Sequence, residues 1–156
     1  MAEKKTNGRA ETAEAGAEAR TIVHGQFIRD FSFENFMAQT KQWSIQDLKH
    51  EVSIQVHISK EAENRYVVSI KAGIDAKSKD KPAYLIELDY CGLFTVENMP
   101  ENRLRAFLAV QCPHYMFPFV RRIVSDITRD GGFPPFNMDL IDFAANAQRQ
   151  NRPASD

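Results

Sequence analysis

The chain has 156 residues, 43% of them hydrophobic and 26% charged, with a formal net charge of −1. That length and composition suit one globular domain, supply no cationic surplus for a phosphate backbone and leave no apolar run of the ~20 residues that span a bilayer. Two cysteines, Cys91 and Cys112, make no disulfide framework, and Met1-Ala2-Glu3-Lys4-Lys5 opens no apolar leader, so a reducing cytoplasm is the expected setting.

Residues 1–20 carry no aromatic or large aliphatic side chain after Met1, and Glu3, Glu11, Glu14 and Glu18 balance Lys4, Lys5, Arg9 and Arg20. Such a stretch cannot bury enough surface to offset ordering and reads as a disordered tail. Residues 148–156 read as a second tail, leaving 21–147 as the folded domain.

Four strands are expected next. Phe27, Phe31 and Phe33 alternate with Ile28, Asp30, Ser32 and Glu34, giving a strand with an aromatic face. Val52, Ile54, Val56 and Ile58 alternate with Ser53, Gln55 and His57, and Tyr66, Val68, Ile70 and Ala72 repeat the period of two. In the fourth strand, about Ala83 to Val96, Tyr84, Ile86, Leu88 and Tyr90 share one face, and Leu85, Glu87, Asp89 and Cys91 the other. The short connectors Lys60–Arg65 and Asp75–Pro82 suit antiparallel neighbours.

After Pro100 the period becomes helical. Leu104, Phe107 and Leu108 suit a short helix over Glu101–Val110, which Pro113 is expected to interrupt. A longer helix then begins near Met116 or Phe117, with Pro118 in its first turn and Met116, Val120, Ile123, Val124 and Ile127 as its apolar stripe. Gly131 and Gly132 end it, a Pro-rich link runs from Phe133 to Ile141, and Asp142 caps a last helix. Strands followed by helices predict an α+β fold, a four-stranded antiparallel sheet with helices packed on one face. Leu85, Cys91 and Ile28 add apolar surface beyond what one helical layer covers, which points to self-association.

Two stretches combine prolines with large apolar groups: Cys112-Pro113-His114-Tyr115-Met116-Phe117-Pro118-Phe119 and Gly132-Phe133-Pro134-Pro135-Phe136. By residue type alone these aromatics either pack inward or stay open to a partner. His24, His50, His57 and His114 are scattered without metal-ligand spacing, and no nucleophile elbow, P-loop or dinucleotide fingerprint occurs. Neither an enzyme nor a cofactor or metal site is expected.

Four pieces in order resemble the SecB family of protein-export chaperones: Asp30-Phe31-Ser32-Phe33-Glu34; Tyr84-Leu85-Ile86-Glu87 with Cys91-Gly92-Leu93-Phe94; Cys112-Pro113 through Phe117-Pro118-Phe119; and Phe133-Pro134 with Asn137. The resemblance implies α+β protomers assembled as a homotetramer, a dimer of dimers. It also implies a cytosolic, ATP-independent holdase that keeps presecretory proteins unfolded and passes them to the SecA motor, with no nucleic acid and no membrane insertion. It places SecA contacts at Asp30, Glu34, Leu85 and Glu87, any zinc there belonging to the partner. The client groove is implied between the main helix and the Pro-rich loop, at Trp43, Tyr115, Met116, Phe117, Phe119, Phe133 and Phe136. The alternatives are a chaperone of the same fold dedicated to one toxin–antitoxin partner, and an α+β domain with a closed small-ligand pocket.

Overall fold

A computed structural model describes residues 16–152. Most of the predicted N-terminal tail and the last four residues lie outside that range. Among the described residues β1 (Arg20–Asn35) leads through α1 (Phe36–Gln39) to a meander of β2 (Leu48–Ala62), β3 (Arg65–Ser78) and β4 (Lys81–Glu97). The sheet order is β1-β4-β3-β2, antiparallel throughout. The meander closes through tight turns at Glu63-Asn64 and Lys79-Asp80, where Asn64, Lys79 and Asp80 take positive φ. The chain from α1 to β2 crosses the end of the sheet, so β1 and β2 are its two open edges.

The period of two divides the sheet as the sequence predicts for β3 and β4. Val68, Ile70, Ala72, Ile74, Tyr84, Ile86, Leu88 and Tyr90 all face the helical layer and are buried. In β1 the expected aromatic face is broken. Register slips fall between Val23 and Gly25 and between Ile28 and Asp30, leaving His24 and Arg29 as extra residues. Each bulge shifts the alternation by one. Phe31 and Phe33 therefore pair with Leu88 and Ile86 on the helical side, whereas Phe27 pairs with Cys91 on the open side.

The expected helix break is also absent. α2 (Glu101–Ala106), a π-helical segment (Phe107–Gln111) and α3 (Cys112–Asp130) run on without interruption. Pro113 lacks an amide hydrogen, and just before it the ladder widens so that the Cys112 N–H donates to the Phe107 carbonyl. Pro113 thus sits in the first turn of α3, and Pro118 lies inside that helix. Met116, Val120, Ile123 and Val124 form the buried stripe, each contributing roughly 1.5–3 kcal/mol of burial against the sheet. Gly92 supplies the space: a Cβ there would meet the Phe94 ring at 2.6 Å and the Met116 sulfur at 3.1 Å.

Gly131 ends α3, and residues 133–142 form an extended link to α4 (Phe143–Gln150), which Asp142 caps through the Ala145 N–H. Helix α4 thus runs three residues past 147, where the C-terminal tail is expected to begin. Gln150 accounts for it: its amide donates to the Val56 carbonyl and accepts from the Val56 N–H, both at 3.1 Å. One side chain imitates a neighbouring strand and covers part of the β2 edge.

Candidate functional site

The open face of the sheet collects the predicted acidic contacts. Because the Arg29 bulge resets the alternation, Asp30 opposes Asp89, Ser32 opposes Glu87 and Glu34 opposes Leu85. Asp30, Glu34 and Glu87 are exposed and Leu85 is half-buried. A hollow of about 320 Å³ lies among Asp30, Glu87, Asp89, Lys71, Ser53 and Gly73. Gly73 leaves part of that space open, since a Cβ there would lie 2.7 Å from the Ser53 hydroxyl oxygen.

Asp89 has a different role from its neighbours. One carboxylate oxygen accepts from Arg29 Nε at 2.9 Å and a terminal guanidinium nitrogen at 2.8 Å; the other accepts from the Ser69 hydroxyl. Burial pushes the Asp89 carboxyl up, but the bonds from Ser69 and Arg29 outweigh it and hold the group below the usual carboxylate range. Arg29 was not legible as part of the site, because nothing in the sequence marks a bulge. Burial and the neighbouring Asp89 carboxylate raise the Cys91 thiol, and burial pushes Cys112 up to about 12, so both thiols are protonated core groups at neutral pH.

On the helical side, two clefts flank the link between α3 and α4. The larger, about 780 Å³, lies between the link, β2 and α4, with Phe136, Met138 and Ile141 facing His50, Val52 and Ile54. The smaller, about 370 Å³, lies between the link and α3, from Leu140 and Ile141 to His114, Phe117, Pro118 and Arg121. Of the predicted client residues Phe117 alone lines this cleft between main helix and link, and Phe136 lines the larger one on the link's other side.

The link is anchored in the core by the buried Phe133 and Met138, and the Phe133 N–H donates to the Thr128 carbonyl at 3.0 Å. The Phe136 N–H donates to the Thr128 hydroxyl at 2.9 Å, and the Phe136 ring stacks on His50 with centroids 3.8 Å apart. The other side of His50 reaches the buried Tyr84 hydroxyl at 2.7 Å. Burial lowers the His50 pKa and raises that of Tyr84, so the stack holds a neutral imidazole at pH 7. Asn146 Nδ2 donates to the Ile54 carbonyl at 3.1 Å, while its buried Oδ1 has no partner among the described residues and borders the larger cleft.

The predicted client residues divide into two groups. Trp43, Tyr115 and Phe119 are exposed, Phe119 stacking at its inner face on Tyr90, and Phe136 is half-buried. Met116, Phe117 and Phe133 are 0%, 4% and 5% exposed and belong to the core instead. Phe117 packs edge-on to Phe143, and Phe133 lies 4.6 Å from Tyr84. Their apolar stripe position or proximity to the sheet, not the adjacent proline, decides their fate.

A family model described as preprotein translocase subunit SecB matches residues 14–153. The protein-export protein SecB of Ruegeria pomeroyi is 46% identical over 141 residues, covering 87% of this chain and 84% of that one. That of Roseobacter denitrificans is 48% identical over 146 residues, covering 86% and 87%. Among solved structures, a SecB-like chaperone of Mycobacterium tuberculosis, bound to an antitoxin peptide, superposes with a TM-score of 0.63 at 14% identity, covering 78% of this chain and 91% of that one. At that identity the likeness concerns the fold.

Proposed function

The chain belongs to the SecB family of preprotein translocase subunits, and on that premise we propose that it is an export chaperone that holds presecretory chains unfolded without ATP and hands them to the SecA motor. It acts by binding, in the cytoplasm, as a homotetramer built as a dimer of dimers. Binding only the unfolded state withdraws a client from its folding equilibrium by mass action, so no nucleotide is needed.

The observation that carries this reading is the pair of open clefts on either side of the link, where Phe136, Leu140 and Ile141 offer apolar contact. Phe136, Trp43, Tyr115 and Phe119 are its gripping surface, where broad aromatic contact accepts many sequences. Met116, Phe117 and Phe133 support that surface from beneath. Asp30, Glu34, Leu85 and Glu87 form the SecA-docking face. The β1 edge, with Val23, Phe27 and Ile28 at 53%, 44% and 46% exposure, offers unpaired backbone and apolar area for assembly.

Light scattering of a chemically unfolded preprotein diluted into buffer without nucleotide tests the reading. The wild-type chain is expected to suppress scattering, and Phe136→Ser with Leu140→Ser to lose most of that protection while keeping its far-UV spectrum. Full protection by the double variant would overturn the cleft assignment. Asp30→Ala with Glu87→Ala is expected to weaken SecA binding without changing molar mass in solution; unchanged SecA affinity removes the docking face from the proposal.

A further inference from the structure

Helix α4 meets the β2 edge through two side-chain amides one turn apart. Gln150 engages both ends of its amide on Val56, whose N–H and carbonyl it meets at 3.1 Å each. Asn146 engages only its Nδ2, on the Ile54 carbonyl at 3.1 Å. That bond fixes which way the amide points, because a carbonyl needs a donor, so the group left over is an acceptor. Two buried side-chain polar atoms among the described residues have no partner, Asn146 Oδ1 and Arg121 Nε. Each belongs to a residue lining one of the clefts beside the link. Asn146 is the sharper case: the residue is 8% exposed, whereas Arg121 is half-buried. A buried acceptor without a partner lacks the hydrogen bond that water gives it in the unfolded chain, so a donor that reaches it gains the full bond.

We propose that Asn146 Oδ1 accepts a peptide N–H of a client segment lying in the larger cleft, which makes Asn146 a specificity-determining residue that reads the client backbone. The lining selects this donor over others. Val52, Ile54, Met138 and Ile141 share the lining with Asn146, so the arriving group must present apolar side chains beside a short polar one, as a peptide unit does. Asp139 and Arg149, both exposed lining residues, are of opposite sign and leave no net charge that would favour an ammonium or a guanidinium. Every residue except proline offers a peptide N–H, so this contact accepts many sequences and excludes proline at one client position. Oδ1 is closed off in the free chain, and the exposed lining residues Asn137, Asp139 and Arg149 are the ones that part to admit a client. The inference rests on the chaperone reading for the nature of the ligand, an unfolded chain.

Calorimetry on the full chain tests this with an acetylated, uncharged nine-residue peptide of leucine, isoleucine and serine, and with the nine versions of it that carry one backbone N-methyl group each. One N-methyl position is expected to weaken binding to the wild-type chain at least tenfold, and proline at that position to do the same. In Asn146→Ala that N-methyl peptide should bind within about twofold of the parent peptide, because the acceptor it fails to serve is gone. Asn146→Leu, which restores side-chain volume without an acceptor, should behave alike and stands in if the alanine variant unfolds. An N-methyl loss of the same size in wild type and in both Asn146 variants, or no position that loses tenfold in wild type, would overturn the proposal alone. Undiminished binding of the parent peptide by Phe136→Ser with Leu140→Ser, or no binding by the wild-type chain, would overturn the cleft reading and this inference with it.

Discussion

Asp89 tests whether the open face is held by surface charge or by a buried hydroxyl. Its carboxylate serves three donors in different surroundings: the Arg29 guanidinium, on a side chain 48% exposed, the Ser69 hydroxyl, on a residue 2% exposed, and, at a longer 3.5 Å, the buried Cys91 thiol. An ion pair to a half-exposed guanidinium contributes about 0.5–1 kcal/mol. A buried hydroxyl bonded to a carboxylate contributes about 1.5–3 kcal/mol, and removing the acceptor leaves that hydroxyl unpaired. Asp89→Ala is therefore expected to cost about 3 kcal/mol, Asp89→Asn about half as much, and Arg29→Ala under about 1 kcal/mol. Urea unfolding at one fixed protomer concentration measures all three. Acid adds a second check. The Asp89 pKa is depressed in the folded state, so its contribution is fully present above the unfolded value of about 3.9 and is lost as pH falls through the folded one. The stability gap between wild type and Asp89→Asn should be constant from about pH 7 to pH 5 and close below about pH 4. An Arg29→Ala cost equal to that of Asp89→Ala would refute the assignment to Ser69, and a cost below about 0.5 kcal/mol for Asp89→Ala would refute the network.

Two further perturbations address the helical side. His50 has a lowered pKa, so folding favours its neutral form and its contribution is lost as pH falls below the unfolded value of about 6.5; His50→Gln should flatten the stability profile between about pH 5 and 7, read by the same urea titration. Gly92→Ala forces a methyl against the Phe94 ring and the Met116 sulfur and should cost about 1–3 kcal/mol in thermal or urea unfolding; a neutral result would mean that α3 can move off the sheet without loss.

The sheet was legible because β3 from Tyr66 to Ala76 and β4 from Tyr84 to Val96 alternate without a register slip, and the acidic contacts came from the family resemblance, with Leu85 and Glu87 on one face of that run. Phe27 went to the wrong face because a bulge has no residue signature when an arginine or histidine occupies it. Pro113 reads as a stop, and only the widened ladder before it shows how the helix continues. Burial of Met116 follows from helical spacing. That of Phe133 depends on where the link meets Tyr84, which no local pattern encodes. Polarity likewise made Gln150 look like tail, although its amide serves as a strand partner for Val56.

Strand β4 belongs to both faces, and its alternation keeps them chemically separate. Tyr84, Ile86 and Leu88 hold the helical layer, while Leu85, Glu87 and Asp89 shape the open face, so no side chain of the strand serves both. The two hollows meet instead at β2, where Ser53 and Gln55 line both the acidic hollow and the larger cleft. The link is fixed on the helical side by the buried Phe133 and Met138, by hydrogen bonds from the Phe133 and Phe136 N–H groups to Thr128, and by the stack of Phe136 on His50. Under the proposed function, an effect of a partner on the acidic face upon a client in the larger cleft is therefore expected to pass through β2 or through competition for the client chain itself.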